Sequence, residues 1–281
     1  MTLPSFVVIG AAKCGTTSLC DLVGQHPEVF MSTPKEPHYF SRVNDVDRGR
    51  AGYESLFADA SPFAAVGEGS TSYTHPHRVD IAAPRIREVL PSARLIYMVR
   101  DPIRRLESDW RMRVREGRVP DSINEAVSAH PSLVTFGLYW KHLNVYRRLF
   151  EDDQILLVFL EDFAEDPMLV LAEVFRHIGV EPGFEPRDPT TPRNAASRAR
   201  RDRWFASGLR RLPAFRALKD RLPRPAIDLL KRFGTARYDI RVDWDEETLN
   251  SVRDILMDDA RKLLDFCGKP RDFWMSHRRE R

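Results

Sequence analysis

At 281 residues, with 42% hydrophobic and 30% charged positions, the chain has the makeup of a soluble globular protein and enough length to bury a full sheet. A formal net charge of +3 is too small to argue for a nucleic-acid partner, although arginine outnumbers lysine and clusters late in the chain. Cys14, Cys20 and Cys267 are odd in number and far from any CxxC spacing, which argues against a disulfide frame or a zinc site, and no apolar run approaches the roughly 18 residues that would span a bilayer.

Met1-Thr2-Leu3-Pro4 leads almost directly into Phe6-Val7-Val8-Ile9, an apolar run that predicts a short buried strand. With no room for a charged region and an apolar region ahead of it, a signal peptide is not expected, and the expected location is the cytoplasm. A turn bracketed by Gly10 and Gly15 follows, and Thr16-Thr17-Ser18-Leu19 opens a run with helical spacing. Strand, loop and helix in this order make an anion site, because the unpaired N–H groups of the helix start and the positive end of its dipole favour phosphate or sulfate. Gly15 lets the backbone approach closely and Lys13 adds a mobile positive charge. The Gly10 to Gly15 spacing fits the start of a Walker A loop, but Thr16 stands where that motif requires lysine, which disfavours ordinary ATP or GTP hydrolysis. Alone, the motif reads equally as a glycine turn with a solvated lysine, so companion motifs must decide.

The first helix is expected to end near Gly24-Gln25-His26-Pro27, ahead of a short strand Val29-Phe30-Met31. In Ser32-Thr33-Pro34-Lys35-Glu36-Pro37-His38-Tyr39-Phe40, two prolines flank Lys-Glu and stiffen a loop that can hold a carboxylate in a fixed direction. Glu36 and His38 are therefore candidate bases; the plainer readings are a solvated acid and a half-buried ring. Ser41 to Asp59 reads as a loop and a short helix, and Ala64 to Glu68 as a weak strand. The hydroxyl-rich turn Gly69-Ser70-Thr71-Ser72-Tyr73 either lines a cleft for a polar acceptor or is only a turn.

Ile81 to Leu90 has helical spacing, and Arg94-Leu95-Ile96-Tyr97-Met98-Val99-Arg100 is the clearest strand after the first, apolar enough to be covered on both faces. Asp101 suits the cap, and Pro102 the first turn, of a following helix that carries Arg104, Arg105 and Ser108. Arg100 thus falls at the carboxyl end of a strand, the edge where open α/β sheets bind ligands, and could share a phosphate with Ser108. The alternative is an arginine paired with Asp101 or another surface acid. A helix from Phe136 to Phe150 and a strand from Gln154 to Leu160 continue the alternation through Gly179. This is the pattern of an α/β fold with a central, mainly parallel sheet flanked by helices.

From Glu181 the composition changes: prolines bound a loop and Arg193 to Arg201 form a basic stretch, which either folds over an anionic nucleotide or is a solvated arm. Helical segments from Trp204 to Phe233, an amphipathic helix from Asp245 to Cys267, and Phe273-Trp274 read as a helical cap. The expected organisation is one domain over 1–281, with an α/β core at 1–180 and the basic loop and cap at 181–281.

Taken together, Ala12-Lys13-Cys14-Gly15-Thr16-Thr17-Ser18-Leu19, Lys35-Glu36-Pro37-His38-Tyr39-Phe40, Val99-Arg100-Asp101-Pro102 and Ser108-Asp109-Trp110 resemble the sulfotransferases that use 3′-phosphoadenosine 5′-phosphosulfate, PAPS, and release 3′-phosphoadenosine 5′-phosphate, PAP. In pattern the likeness is to the heparan sulfate 3-O- and N-sulfotransferase branch and its bacterial cousins, and it covers most of the chain. It implies a P-loop-like three-layer fold, a nucleotide sulfate donor, a hydroxyl acceptor on a carbohydrate, lipid or small molecule, and no metal. It also implies contacts to the 5′-phosphosulfate from Lys13, Cys14, Gly15, Thr16 and Thr17, a catalytic role for Lys13, the 3′-phosphate on Arg100 and Ser108, and Glu36 as the base with His38 beside it. Lys35, Tyr39, Glu68, Ser70 and Tyr73 are the expected acceptor-side residues.

Two departures from the family pattern stand out. Glu68-Gly69 replaces a Glu-Lys pair, and Gly234-Thr235-Ala236-Arg237 lacks the late lysine-glycine-arginine pattern, for which Arg198 and Arg200 are candidate substitutes. These departures bear on a heparan substrate more than on sulfuryl transfer. The competing readings are a small-molecule or nucleoside kinase, which would want lysine directly after Gly15, and a non-catalytic nucleotide- or polyanion-binding module built on the basic loop.

Overall fold

Apolar runs too short for helices and bounded by turns become the strands of one sheet. The structure, a computed structural model, describes residues 2–42, 46–189, 201–202, 235–236 and 240–275. Strands β1 (Phe6–Gly10), β2 (Val29–Met31), β3 (Ala65–Gly69), β4 (Arg94–Val99) and β5 (Ile155–Phe159) form a sheet in the order β2-β3-β1-β4-β5. Every pairing in it is parallel, with Val7 opposite Glu68 on one side and Leu95 on the other. All of β1 and β3 is buried, as expected for parallel strands covered on both faces. β3 looked weak in sequence because it contains Gly67 and Gly69, yet Gly67 is required: a Cβ there would stand 2.2 Å from the Phe6 ring. Arg201–Asp202 (β6) and Thr235–Ala236 (β7) form a separate antiparallel pair.

The helices are α1 (Thr16–Val23), α2 (Val46–Ser55), α3 (Val79–Val89), α4 (Pro102–Arg115), α5 (Ile123–Ala129), α6 (Ser132–Thr135), α7 (Tyr139–Arg147), α8 (Leu160–Glu165), α9 (Pro167–Ile178) and α10 (Glu246–Phe266). α4 begins as its sequence predicts, with Pro102 in the first turn and the Asp101 carboxylate accepting from the N–H groups of Ile103 at 2.8 Å and Arg104 at 3.3 Å. α3 starts two residues before the expected Ile81 and runs through Pro84. The helix expected from Phe136 to Phe150 is α7, which starts three residues later and ends three earlier; α6 precedes it, and in the turn between them a Cβ on Gly137 would meet Leu256 of α10 at 2.8 Å. No helix among the described residues is long and apolar enough to cross a membrane. The basic stretch through Arg200 and the helices expected between Trp204 and Phe233 lie outside the described residues.

The late part of the chain is tied to the sheet. Ile103, Leu106 and Trp110 of α4 pack with Leu133 and with Val252 and Leu256 of α10. Asp259 of α10 accepts from the N–H groups of Trp140 at 2.8 Å and Lys141 at 3.0 Å, at the start of α7, which has no side-chain cap of its own. Trp274 is buried between Phe159 and Tyr139, and its indole N–H donates to Glu161 at 3.1 Å. Replacing Asp259 by Ala leaves two N–H groups of α7 without their carboxylate and should lower unfolding free energy by roughly 2 kcal/mol in urea titration. A loss below about 0.5 kcal/mol, the size of an ordinary surface change, would mean that this contact does not hold α10 to α7.

Candidate active site

β1 lies between β3 and β4, so its carboxyl end opens where the strand order turns from one direction to the other. The chain leaving it is clamped. The Ala11 N–H donates to the Met98 carbonyl of β4 at 2.7 Å. Gly10 has φ 151°, and a Cβ there would stand 2.1 Å from Thr74 Oγ1; Gly15 has φ 89°, and a Cβ there would stand 2.8 Å from Leu160 Cδ1. Gly15 is the cap residue of α1 and carries no acceptor side chain, no side chain caps the helix, and its first turn has no acid. The helix start is therefore left with donors and a positive dipole end, which suits an anion. The Cys14 N–H donates to the Ala11 carbonyl at 3.2 Å, and its thiol is buried 3.5 Å from the Tyr139 hydroxyl, where burial pushes it up to about 11.

Lys13 sits in the left-handed region at φ 72° and extends toward α4, its Nζ 3.7 Å from Met112 Sδ. Burial lowers its pKa; Asp109 opposes this, and Arg115, Arg100 and Arg105 lower it further. Arg100, just past β4, donates to the Lys13 carbonyl at 3.3 Å, while its Nε is buried without a hydrogen-bond partner among the described residues. The neighbouring Asp101 carboxylate caps the start of α4. Ser108, half-buried on α4, shares a helix face with Met112 one turn on. Arg105 is fully buried and structural, bonded to the Leu133 carbonyl at 2.6 Å and to Asp109 at 3.4 Å. Lys13 and Arg100 thus meet on one side of the loop, as a concentration of positive charge with an orphaned guanidinium N–H that an anion would satisfy.

On the other side stands the Pro34–Pro37 loop. Glu36 keeps 31% of its side chain exposed and is held by three groups: Thr71 Oγ1 donates to Oε2 at 3.1 Å, His38 Nε2 lies 3.4 Å from Oε2, and Lys35 Nζ lies 3.5 Å from Oε1. His38, at φ 55°, is fixed in turn by Ser72 Oγ 2.7 Å from Nδ1. Lys35 does not point outward toward an acceptor: its ammonium donates to Thr16 Oγ1 at 3.3 Å and Thr17 Oγ1 at 3.4 Å, in the first turn of α1. Its stem passes Gly69, with Cε 3.6 Å from where a Cβ would be. Sequence placed Lys35 beside Glu36 but carried no signal for its direction; the hydroxyls of Thr71 and Ser72 were visible only as a polar turn.

The remaining acceptor-side expectations are corrected by burial. Tyr39 is 4% exposed, and Glu68, Ser70 and Tyr73 are not exposed at all. They form the wall behind the site: Glu68 accepts from Tyr73 at 2.6 Å, Ser70 at 2.8 Å and Tyr53 at 3.2 Å, and Tyr39 stacks on Tyr53. Ser70 Oγ also accepts the His38 backbone N–H at 3.0 Å, so this wall positions the Glu36 loop. Burial pushes the Glu68 carboxyl up to about 7, against the opposing effect of the three hydroxyls. Nearby, burial lowers His75 to about 4, aided by His77 and His38, which keeps its ring neutral against Phe136. Arg198 and Arg200, the candidate late nucleotide contacts, lie outside the described residues.

The family described as sulfotransferase domain matches residues 3–193. The chain is similar to human (Homo sapiens) carbohydrate sulfotransferase 15, 27% identical over 268 residues that cover 71% of this chain and 48% of that protein. It is similar also to human heparan sulfate glucosamine 3-O-sulfotransferase 3B1, 30% identical over 193 residues covering 64% of this chain and 47% of that protein. It spans about half the length of these curated relatives. Its fold is like that of a solved sulfotransferase from Alicyclobacillus acidocaldarius, with TM-score 0.69 at 22% identity over 98% of this chain and 100% of that one. A sulfotransferase domain from the curacin biosynthetic pathway matches in fold at TM-score 0.53 and 15% identity, over 91% of this chain and 98% of that one.

The raised carboxyl of Glu68 makes stability depend on pH in a defined direction. Its contribution is fully present below the ordinary value of 4.5 and is lost as pH rises through about 7, because the folded state must then carry a buried charge. Between pH 5 and 8, Glu68→Gln should remove on the order of 3 kcal/mol of that decline relative to the unsubstituted protein, measured by urea titration at both pH values. Equal slopes for the two proteins would show that Glu68 does not titrate in this range.

Proposed function

The chain belongs to the sulfotransferase domain family, and from that premise we propose that it moves a sulfuryl group from PAPS to an acceptor hydroxyl on a carbohydrate, lipid or small molecule. The observation that carries this reading is the pairing of an uncapped helix start with a half-exposed carboxylate, Glu36, reached from it through one ammonium. A site for nucleotide phosphate alone has no use for that carboxylate; a transfer to a hydroxyl needs a group to take its proton.

In this mechanism the acceptor oxygen attacks sulfur as its proton passes to Glu36. The bond from sulfur to the bridging oxygen breaks, and its electron pair stays on the 5′-phosphate of the departing PAP. Glu36 is kept in place by Thr71 and by His38, whose own ring is fixed by Ser72. The N–H groups at the start of α1 receive the anionic end of the donor, in the manner of an oxyanion site. Lys13 supports the growing charge on the bridging oxygen. Its resting partner is a thioether, a weak acceptor, so turning back to the loop gives up little. Arg100 and Ser108 receive the 3′-phosphate, which supplies the partner that the Arg100 Nε lacks.

The roles separate on measurement. Glu36→Gln should lower the rate of transfer from labelled donor into host-extract acceptors by ~10²-fold or more while PAP affinity, by calorimetry, stays within about twofold. Arg100→Ala should instead weaken PAP binding by roughly 10- to 100-fold, the value of a charged hydrogen bond. The opposite pattern would reject both assignments.

A further inference from the structure

Lys35 is placed where electrostatics alone would not put a cation. Its ammonium meets the first turn of α1, the positive end of a helix, with hydroxyls of Thr16 and Thr17 as neutral acceptors. The first turn holds no acid, and Glu36 approaches at only 3.5 Å, at the long end of an ion-pair contact. Pro34 and Pro37 restrict the backbone on both sides of it. Its side chain is 22% exposed, so the group is neither a surface lysine nor sealed in the core. An ammonium and a helix dipole aimed at one point repel each other until an anion sits between them. Lys13, the other lysine of the region, lies on the α4 side with Arg100, Arg105 and Arg115 around it.

We propose that Lys35 is a second catalytic lysine, which contacts the sulfuryl oxygens of the donor on the side from which the acceptor attacks, while Lys13 serves the nucleotide side. The proposal rests on the sulfuryl-transfer reading above. Before the donor binds, Lys35 is shared between the two threonine hydroxyls and Glu36 Oε1. The sulfonate then takes over as its partner, which frees the Glu36 oxygens for the acceptor hydroxyl. No bond to Lys35 is made or broken, and the ammonium keeps its proton throughout. Its work is to balance the negative charge on the sulfuryl oxygens as sulfur passes between the two bridging oxygens.

PAPS and PAP differ by the sulfuryl group alone, so binding of the two nucleotides to the full chain tests this without any acceptor. Lys35→Met should weaken PAPS by ~10-fold or more and PAP by less than about twofold, with Lys35→Arg restoring most of the difference, as expected for loss of one charge-assisted contact. Lys13→Met should not show this selectivity. Unchanged PAP affinity also reports that the variant site is folded; if Lys35→Met does not fold, Lys35→Gln, which keeps a donor for the threonines, carries the comparison. Equal weakening of both nucleotides, or of neither, would overturn the role of Lys35 and leave the sulfuryl-transfer reading standing. Failure of the unsubstituted protein to bind either nucleotide would overturn that reading, and the proposal with it.

Discussion

The turn out of the central strand has no slack, and the site follows from that. Gly10 is pressed against Thr74, Gly15 against Leu160 and Met98, and the Ala11 N–H is spent on β4. With both ends of the turn fixed, Lys13 is forced into a left-handed conformation that sends it toward α4, and the start of α1 faces outward without a cap. The uncapped helix start is therefore not an added feature of the fold. It is what remains when a fully buried strand must be joined to a helix packed on the same sheet through glycines that nothing larger can replace.

The opposite wall depends on a carboxylate with no exposed surface. Glu68, in the second buried strand, organises three hydroxyls, and one of them, Ser70, holds the backbone of His38. That backbone contact sets the path of the loop carrying Lys35 and Glu36. Two buried strands thus aim two kinds of charge at each other: β1 delivers the donors of α1, and β3, through Glu68 and Ser70, delivers the acid. The cost of keeping a carboxyl in the interior is tolerated because it fixes that path, and the wall is built of tyrosines that fill space as well as donating hydrogen bonds.

What could be read from sequence was what is local. The strand, turn and helix at the start, the strand ending at Arg100 and the Asp101–Pro102 helix start all depend on neighbours within a few residues, and they fold as those neighbours dictate. β3 was underrated because its glycines reduce its apolar character; they are there to admit Phe6 and Cys20, which are distant in the chain. Glu68, Ser70 and Tyr73 looked like the lining of a cleft because polar residues usually face water, and only tertiary packing shows that they satisfy one another inside. The direction of Lys35 was hidden for a similar reason. It is set by α1, whose hydroxyls receive it from across the sheet edge, and no spacing within the loop encodes that.

Glu161 binds the N–H of Asp101 at 2.9 Å with one oxygen and the indole of Trp274 with the other. The residue that follows Arg100 is therefore braced, through Glu161, by a side chain far along the chain. Loosening Trp274 from its seat between Phe159 and Tyr139 is in this way transmitted, through one acid, to the backbone that presents Arg100.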